Sequence, residues 1–498
     1  VLRGGRLVVA CALATVLACG ESTLPPIPEA LMVVDTDLPV PLAVSRLRVD
    51  LYDANGTWFE SRDFARPSPA DWPASFGVHG GDPGRSTTVY VRVRAYPEGR
   101  TRDYRGERFV DWGASLRPPT GDGLPRLLAR GADATPEIEP EPLVTVDRIV
   151  AVRLEPGRRG AVRVLLAGAC VGTMARLGPE ASAAPERGLD VAELASCVGA
   201  EKEREPVVVA RVDENRSIPE TRASSWVAAD VCAPEESTAE RACVPGGVVV
   251  LGDRRLLVSP YIASTPERTF RVSSFVVDRR EVSVARYRDA LARGFSPPRM
   301  PLATEGPLGE SATDTCSWSA APRGRENLPL TCVRWATARA FCMFEGGDLP
   351  TEAQWEYMAA AAARVHETQY PWGDDAPSCD RAVFERLPSN YPQCTRIGVG
   401  PSPVDAQEAD ATPLGVFGLG GNVSEWVRDS FAEYASPCWS RATVTDPFCE
   451  EKTNKRVVRG GSWVSPDLFV FATMRQGHED HATLSFEGVR CVYPRAAR

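Results

Sequence analysis

The hydrophobic and polar positions of this chain fall into two regimes. From Leu31 to Leu166 the dominant period is two. "RLRVDLY" sets Leu47, Val49 and Leu51 against Arg48 and Asp50, and "VYVRVRAY" sets Val89, Val91, Val93 and Ala95 against Tyr90, Arg92, Arg94 and Tyr96. Such alternation predicts half-buried strands. "IVAVRL" and "AVRVLLAG" flank "EPGRRG", and the Pro-Gly turn between them predicts a hairpin. No long helical pattern interrupts this stretch, so residues 31–170 read as an all-β, sandwich-like domain. Residues 171–242 are small, polar and charged, with one further strand in "PVVVARV", and read as a disulfide-containing connector whose end falls anywhere from Asp213 to Cys243.

From residue 243 to residue 498 the pattern is mixed. "FRVSSFVVDRREVSVARYRDAL" passes from an alternating strand to an amphipathic helix, and "LPLTCVRWATARAFCMFEGGDLPTEAQWEYMAAAAA" predicts two helices. Thr351 followed three residues on by Gln354 is an N-cap signature for the second of these. Beyond it, "YPWGDD", "GVFGLGGNVSEWVRDSF", "RVVRGGSW" and "GVRCVYP" are rich in glycine, tryptophan and turn residues. Such a segment must be held by loops, side-chain hydrogen bonds and disulfides as much as by regular structure. The fold class is therefore α+β, with an all-β part first.

Composition narrows the picture. The 498 residues are too many for one ordinary core, and 43% hydrophobic with 25% charged residues is a globular balance. A formal net charge of -9 argues against nucleic-acid binding and against a basic grip on an anionic membrane. Arg3 and Arg6 precede an apolar run from Leu7 to Ala18, the layout of a secretory signal. The run ends in Val16-Leu17-Ala18-Cys19, which resembles a bacterial lipobox, so residues 1–18 read as a lipoprotein signal and Cys19 as the lipidated first mature residue. Residues 19–30 then form a Pro-rich tether. The expectation is a cell-envelope protein, an outer-membrane lipoprotein facing the periplasm or cell surface and touching membrane only through the lipid.

Setting aside Cys11 and Cys19 from the fourteen cysteines leaves an even number, which beyond an export signal reads as a disulfide framework. Spacing suggests local staples: Cys170 with Cys197, Cys232 with Cys243, Cys316 with Cys332, Cys379 with Cys394 and Cys438 with Cys449. Sequence alone does not fix that connectivity.

The pieces "VPGG", "FVVDRREVSVARY", "VRWATARAFC", "LPTEAQWEY", "YPWGDD", "LGGNVSEWVRD", "RVVRGGSW" and "GVRC" occur in one order at particular spacings. In these residues the C-terminal half resembles the formylglycine-generating enzyme, or sulfatase-modifying factor, family. The resemblance implies an elaborated C-type-lectin-like domain and a disulfide between Cys342 and Cys491. It also implies an oxidoreductase that converts a sulfatase cysteine to formylglycine with dioxygen, through two copper-binding cysteines a few residues beyond Gly-Gly-Ser. Here that window, Trp463 to Val470, contains no cysteine, and none occurs between Cys449 and Cys491. Serine is a hard ligand and does not replace a thiolate for Cu(I), so copper is not expected. A related iron enzyme relies on histidines, and the one cluster here is "HEDH", His478 to His481, which reads as a solvated charged loop. Some family members hold calcium through residues that map to Gly421, Val423 and Glu425, but a further side-chain ligand maps to Gly418. Calcium is thus the one cofactor left open.

The first reading is a non-catalytic binding or scaffold protein whose partner is a peptide, a glycan or an envelope protein. Its candidate groove residues are Ser462, Trp463, Ser465, Arg475 and Trp426, with Phe469 and Phe471 beside them. The alternative is an enzyme of altered chemistry within the same superfamily, using Ser462, Ser465, Asp467, Arg475 or the HEDH loop.

Overall fold

A computed structural model describes residues 27–103, 128–129, 132–133, 138–177, 189, 191–228, 230–253, 264–305, 316–388 and 393–495. The apolar leader and Cys19 lie outside the described residues. Among the described residues, no helix is long and apolar enough to cross a membrane.

The first module is two stacked sheets. Strands β1 (Glu29–Thr36), β2 (Arg46–Tyr52), β3 (Trp58–Ala65), β4 (Ala74–His79), β5 (Thr87–Tyr96), β6 (Val146–Leu154), β7 (Arg159–Leu166) and β8 (Val209–Ala210) build it. One sheet runs β7-β1-β4 and the other β8-β6-β5-β2-β3. Val34, Leu47, Val49, Val91, Val93, Val152 and Val164 fill the space between them, as inward positions of period-two strands must.

The expected hairpin of β6 and β7 does not form. β6 pairs antiparallel with β5, whereas β7 pairs parallel with β1 in the opposite sheet. The Pro-Gly turn carries the chain around the sandwich edge. Nor is the polar face of β2 and β5 solvated: Asp50 is 0% and Arg94 3% exposed. Arg94 pairs with Asp50 and Glu139, and Arg92 forks onto Asp147 at 2.6–3.1 Å. Part of the cover comes from residues after 170, where Ala175, Leu189 and Leu194 pack on Tyr52 and Ile149. The described residues between 171 and 228 are therefore wrapped onto the sandwich, with β8 entering the larger sheet beside β6.

Among the described residues, the second module combines short sheets with four α-helices, the last a short one at Pro437–Arg441. β9 (Arg241–Val244), β12 (Phe275–Asp278) and β17 (Val492–Tyr493) form one sheet in the order β9-β12-β17, and β10 (Gly247–Leu251) pairs with β11 (Arg268–Val272). A further sheet runs β15-β14-β13-β16, from β13 (Ser424–Ser430), β14 (Lys455–Arg459), β15 (Arg475–Glu479) and β16 (Glu487–Gly488). Helix α1 (Val284–Ala292) starts at the Ser283 cap and buries Val284, Tyr287 and Ala290, one face at helical spacing. Helix α2 (Trp335–Phe344) buries Ala338, Phe341 and Cys342. The Thr351–Gln354 capping box opens α3 (Glu352–Glu356). It passes at once into a π turn at Tyr357–Ala361, so the predicted alanine helix is short.

All twelve cysteines of the described residues are paired, including Cys342 with Cys491 across 149 positions. The other five bridges are the local staples that the spacing suggested.

Candidate functional site

The loop after β14 is built by close backbone approach. Gly460 has φ +78°, and a Cβ there would lie 2.6 Å from the Leu419 carbonyl oxygen. A Cβ on Gly461 would lie 2.5 Å from that of Gly420. Only glycine permits this contact between the Arg-Gly-Gly-Ser loop and the Gly-Gly-Asn loop. The seam is fixed by Trp463 N–H donating to the Asn422 carbonyl at 2.9 Å and Ser424 Oγ donating to the Gly460 carbonyl at 3.0 Å.

The serines of this loop bond to each other. Ser462 Oγ and Ser465 Oγ lie 2.8 Å apart, and Ser465 Oγ also accepts Ser462 N–H at 3.1 Å. Both are buried, and the described residues place no imidazole beside either. Trp463 and Trp426 are fully buried, donating their indole N–H groups to the carbonyls of Ser485 and Val333. Phe471 is half-buried and stacks on Tyr370, which stacks on Trp372, at centroid distances of 4.8 and 5.1 Å. Asp467 is exposed. These side chains are set in the packing of the domain rather than arrayed along one open surface.

Arg475 lies elsewhere, in a buried ion lattice. It forks onto Glu352 at 2.6 and 2.9 Å, while Arg459 contacts Glu352 at 3.4 Å and pairs with Glu356. The Tyr434 hydroxyl donates to Glu352 at 3.1 Å. A second pair joins Arg490 to Glu425 at 2.7 Å, and Trp355 Nε1 donates to Glu425 at 2.7 Å. Glu352, Trp355 and Glu356 of "TEAQWE", Glu425 of "SEW", Arg459 of "RGGSW" and Arg490 of "GVRC" thus bond to one another. Sequence reasoning picked out Arg475 and Glu425 but not Glu352, Glu356, Arg459 or Arg490, although all four stand in the quoted motifs. Asp348 receives Arg339 at 2.9 Å.

The HEDH residues do not converge. His478 sits on β15 and pairs with Glu487, while His481 is exposed and contacts Glu479 at 2.9 Å and Asp480 at 3.4 Å. Other groupings with metal-ligand chemistry, Cys232, Glu236 and Cys243, and Cys438, Cys449 and Glu451, place their sulfurs in disulfides. A disulfide sulfur is not the thiolate that ligates copper or zinc.

Around the residues mapped for calcium, both Glu425 oxygens already receive donors, one of them a guanidinium. Val423 and Gly421 are buried beside it. The free acceptors lie one layer away: Glu281 Oε2, Gln407 Oε1 and Asp410 Oδ1 are buried without a partner. A Cβ on Gly418 would lie 2.8 Å from Glu281 Oε1 and 2.9 Å from Gln407 Oε1, so the space of the missing ligand is filled by these two side chains. Glu425, spent on Arg490, does not fit a cation.

Burial pushes Glu281 up to about 7 against the pull of Arg490, and pushes Asp410 up to about 7 against the N–H groups of Gly420 and Gly421. In the unfolded chain both ionise near their ordinary 4.5 and 3.8. Between those values and about 7 the native state holds protons that the unfolded state has lost, so stability falls as pH rises through that window. Melting temperature should decline from about pH 5 to about pH 8, and Asp410→Asn should flatten the decline. An equal slope in the variant would show that Asp410 is not a source of it.

Residues 228–495 match the family described as "Sulfatase-modifying factor enzyme 1-like domain". The chain belongs to this family. Within it, the formylglycine-generating enzyme of Thermomonospora curvata is 28% identical over 265 residues, 47% of this chain and 86% of that protein. The Bos taurus protein named inactive C-alpha-formylglycine-generating enzyme 2 is 28% identical over 178 residues, 34% of this chain and 52% of that protein. The solved structure of PvdO from Pseudomonas aeruginosa aligns at TM-score 0.40 and 18% identity, covering 51% of this chain and 94% of that one. In this sulfatase-modifying-factor-like domain no cysteine among the described residues is a free thiol, since each is disulfide-bonded.

Proposed function

We propose that this chain is a non-catalytic member of its family, a binding or scaffolding protein of the cell envelope carried on a lipidated Cys19. The observation that carries the reading is chemical. Formylglycine formation needs two soft thiolates for copper, yet the window from Trp463 to Val470 has no cysteine, and every described cysteine is locked in a disulfide. Ser462 and Ser465 spend their hydroxyls on each other. A relative whose name calls it inactive supports the idea that this frame persists without the reaction. What remains is a lectin-like frame cross-linked by disulfides, with long loops that suit it to hold a peptide, a glycan or an envelope protein. Calcium, if it takes part, would have to displace the Arg490–Glu425 pair.

Purified chain loaded with Cu(I) should retain no stoichiometric copper after dialysis and should not convert the cysteine of a sulfatase-derived peptide to formylglycine in air, read by mass spectrometry. About one copper per chain, together with oxygen-dependent conversion, would sink the proposal. Ser465→Cys with Val470→Cys should also leave the peptide unoxidised if more than the thiols has been lost.

A further inference from the structure

The two modules meet around a cavity of about 190 Å³ that none of the family motifs touches. Its polar lining is donor-rich: Lys202 and Arg204 from the wrapped segment of the first module, and Arg268, Thr269 and Trp439 from the second. Among the described residues, no aspartate or glutamate lines it. Each cation is held by neutral backbone. Lys202 Nζ donates to the carbonyls of Ser440, at 3.1 Å, and Ala442, Arg204 Nε to that of Met174 at 2.6 Å, and Arg268 Nε to that of Tyr434 at 2.9 Å. The nearby carboxylates are occupied, Glu201 by the Val444 N–H and Glu267 by Arg100 at 2.9 Å.

Among the described residues, two buried polar atoms of the lining residues lack a partner. These are Thr269 Oγ1 and Trp439 Nε1, in residues 3% and 0% exposed. Buried polar groups are nearly always satisfied, and an indole N–H, an ammonium and a guanidinium can only donate. Burial also holds the Arg268 guanidinium below its ordinary range with no opposing charge to restore it. A half-buried arginine with no described carboxylate on it, sharing a cavity lining with two more cations, lacks an anion.

We propose that the inter-module cavity binds a small oxyanion, a carboxylate or phosphate carried on a group no larger than a monosaccharide. The volume sets the size, because drug-sized ligands occupy pockets of roughly 300 Å³ and above. Arg268 is the anchor, the guanidinium fork suiting two oxygens of one oxyanion. Lys202 and Arg204 close the site from the other module, so occupancy ties the two modules together. The site is independent of the non-catalytic reading and would stand if the chain proved to be an enzyme.

The test is calorimetric titration of the purified full chain with glucuronate, glucose 6-phosphate, inorganic phosphate and glucose. Saturable binding of glucuronate or glucose 6-phosphate is expected, weakening with added salt and raising the melting temperature, with no binding of glucose. Binding of inorganic phosphate as tight as that of glucose 6-phosphate would identify the free ion, rather than a sugar acid or sugar phosphate, as the occupant. Arg268→Met should weaken binding by about tenfold or more. Lys202→Met, at an exposed position, should weaken it by about threefold and so covers the case in which the Arg268 variant misfolds. No saturable heat with any anion up to about 10 mM, equal binding of glucose, or unchanged affinity in Lys202→Met would overturn the proposal.

Discussion

Replacing Glu352 by alanine should destabilise the second module by about 3–5 kcal/mol, the cost typical of stranding one partner of a buried ion pair. Glu352 is 0% exposed and takes donors from Arg475, Arg459 and the Tyr434 hydroxyl. Arg459 would retain Glu356, but Arg475 would keep the Ala432 carbonyl, at 3.0 Å, as its closest described acceptor. A fully buried guanidinium that loses its carboxylate is a costly case for desolvation. Glu352→Gln preserves the shape and one acceptor oxygen and should cost less than alanine. Urea unfolding of both variants, followed by tryptophan fluorescence, checks the order, with exposed Glu433→Ala as control. If Glu352→Ala shifted the midpoint no more than Glu433→Ala, the lattice would not be what holds this part of the domain.

The same lattice explains why the family motifs could be located without their roles being legible. Glu352, Glu356, Arg459 and Arg490 stand in the quoted motifs, but a glutamate in a sequence is equally a catalytic acid, a metal ligand or half of an ion pair. Which of these it is depends on the partner that folding brings from more than 100 positions away, as Arg475 is brought to Glu352. The glycines behave alike: Gly461 marks the family, but its reason, a 2.5 Å approach to the Gly420 carbonyl oxygen, is tertiary.

In the first module, period two located the strands because one face of each fills the core. It could not say which strand is the neighbour, and β6 and β7 went to different sheets around their own turn. Nor could it foresee that the polar face is covered. Arg48 stands opposite Arg94 across the β2–β5 ladder, a repulsive pair in isolation, and Asp50 and Glu139 neutralise it. That compensation is visible only once the register is known. The inter-module cavity was invisible for a related reason. Lys202, Arg204 and Arg268 sit in separate segments of unremarkable charge, and only packing places them around one cavity.

Removing the Cys342–Cys491 bridge, by serine at both positions, should lower stability by roughly 5 kcal/mol in the chain-entropy model, against roughly 3 kcal/mol for the Cys438–Cys449 bridge. The difference follows from separations of 149 and 11 residues, since the longer loop takes more freedom from the unfolded chain. Position adds to length. Cys342 lies on the buried face of α2, and Cys491 precedes β17, which closes the β9-β12-β17 sheet beside β12. The backbone also ties Asp348 to Val492 in both directions, at 2.9 Å each way. The double-serine protein should therefore lose the last strand before the rest of the module, with hydrogen exchange of the Val492 amide rising ahead of that of β13 and β14. Equal losses of melting temperature for the two bridges would show that the unfolded chain is not the state on which the long one acts.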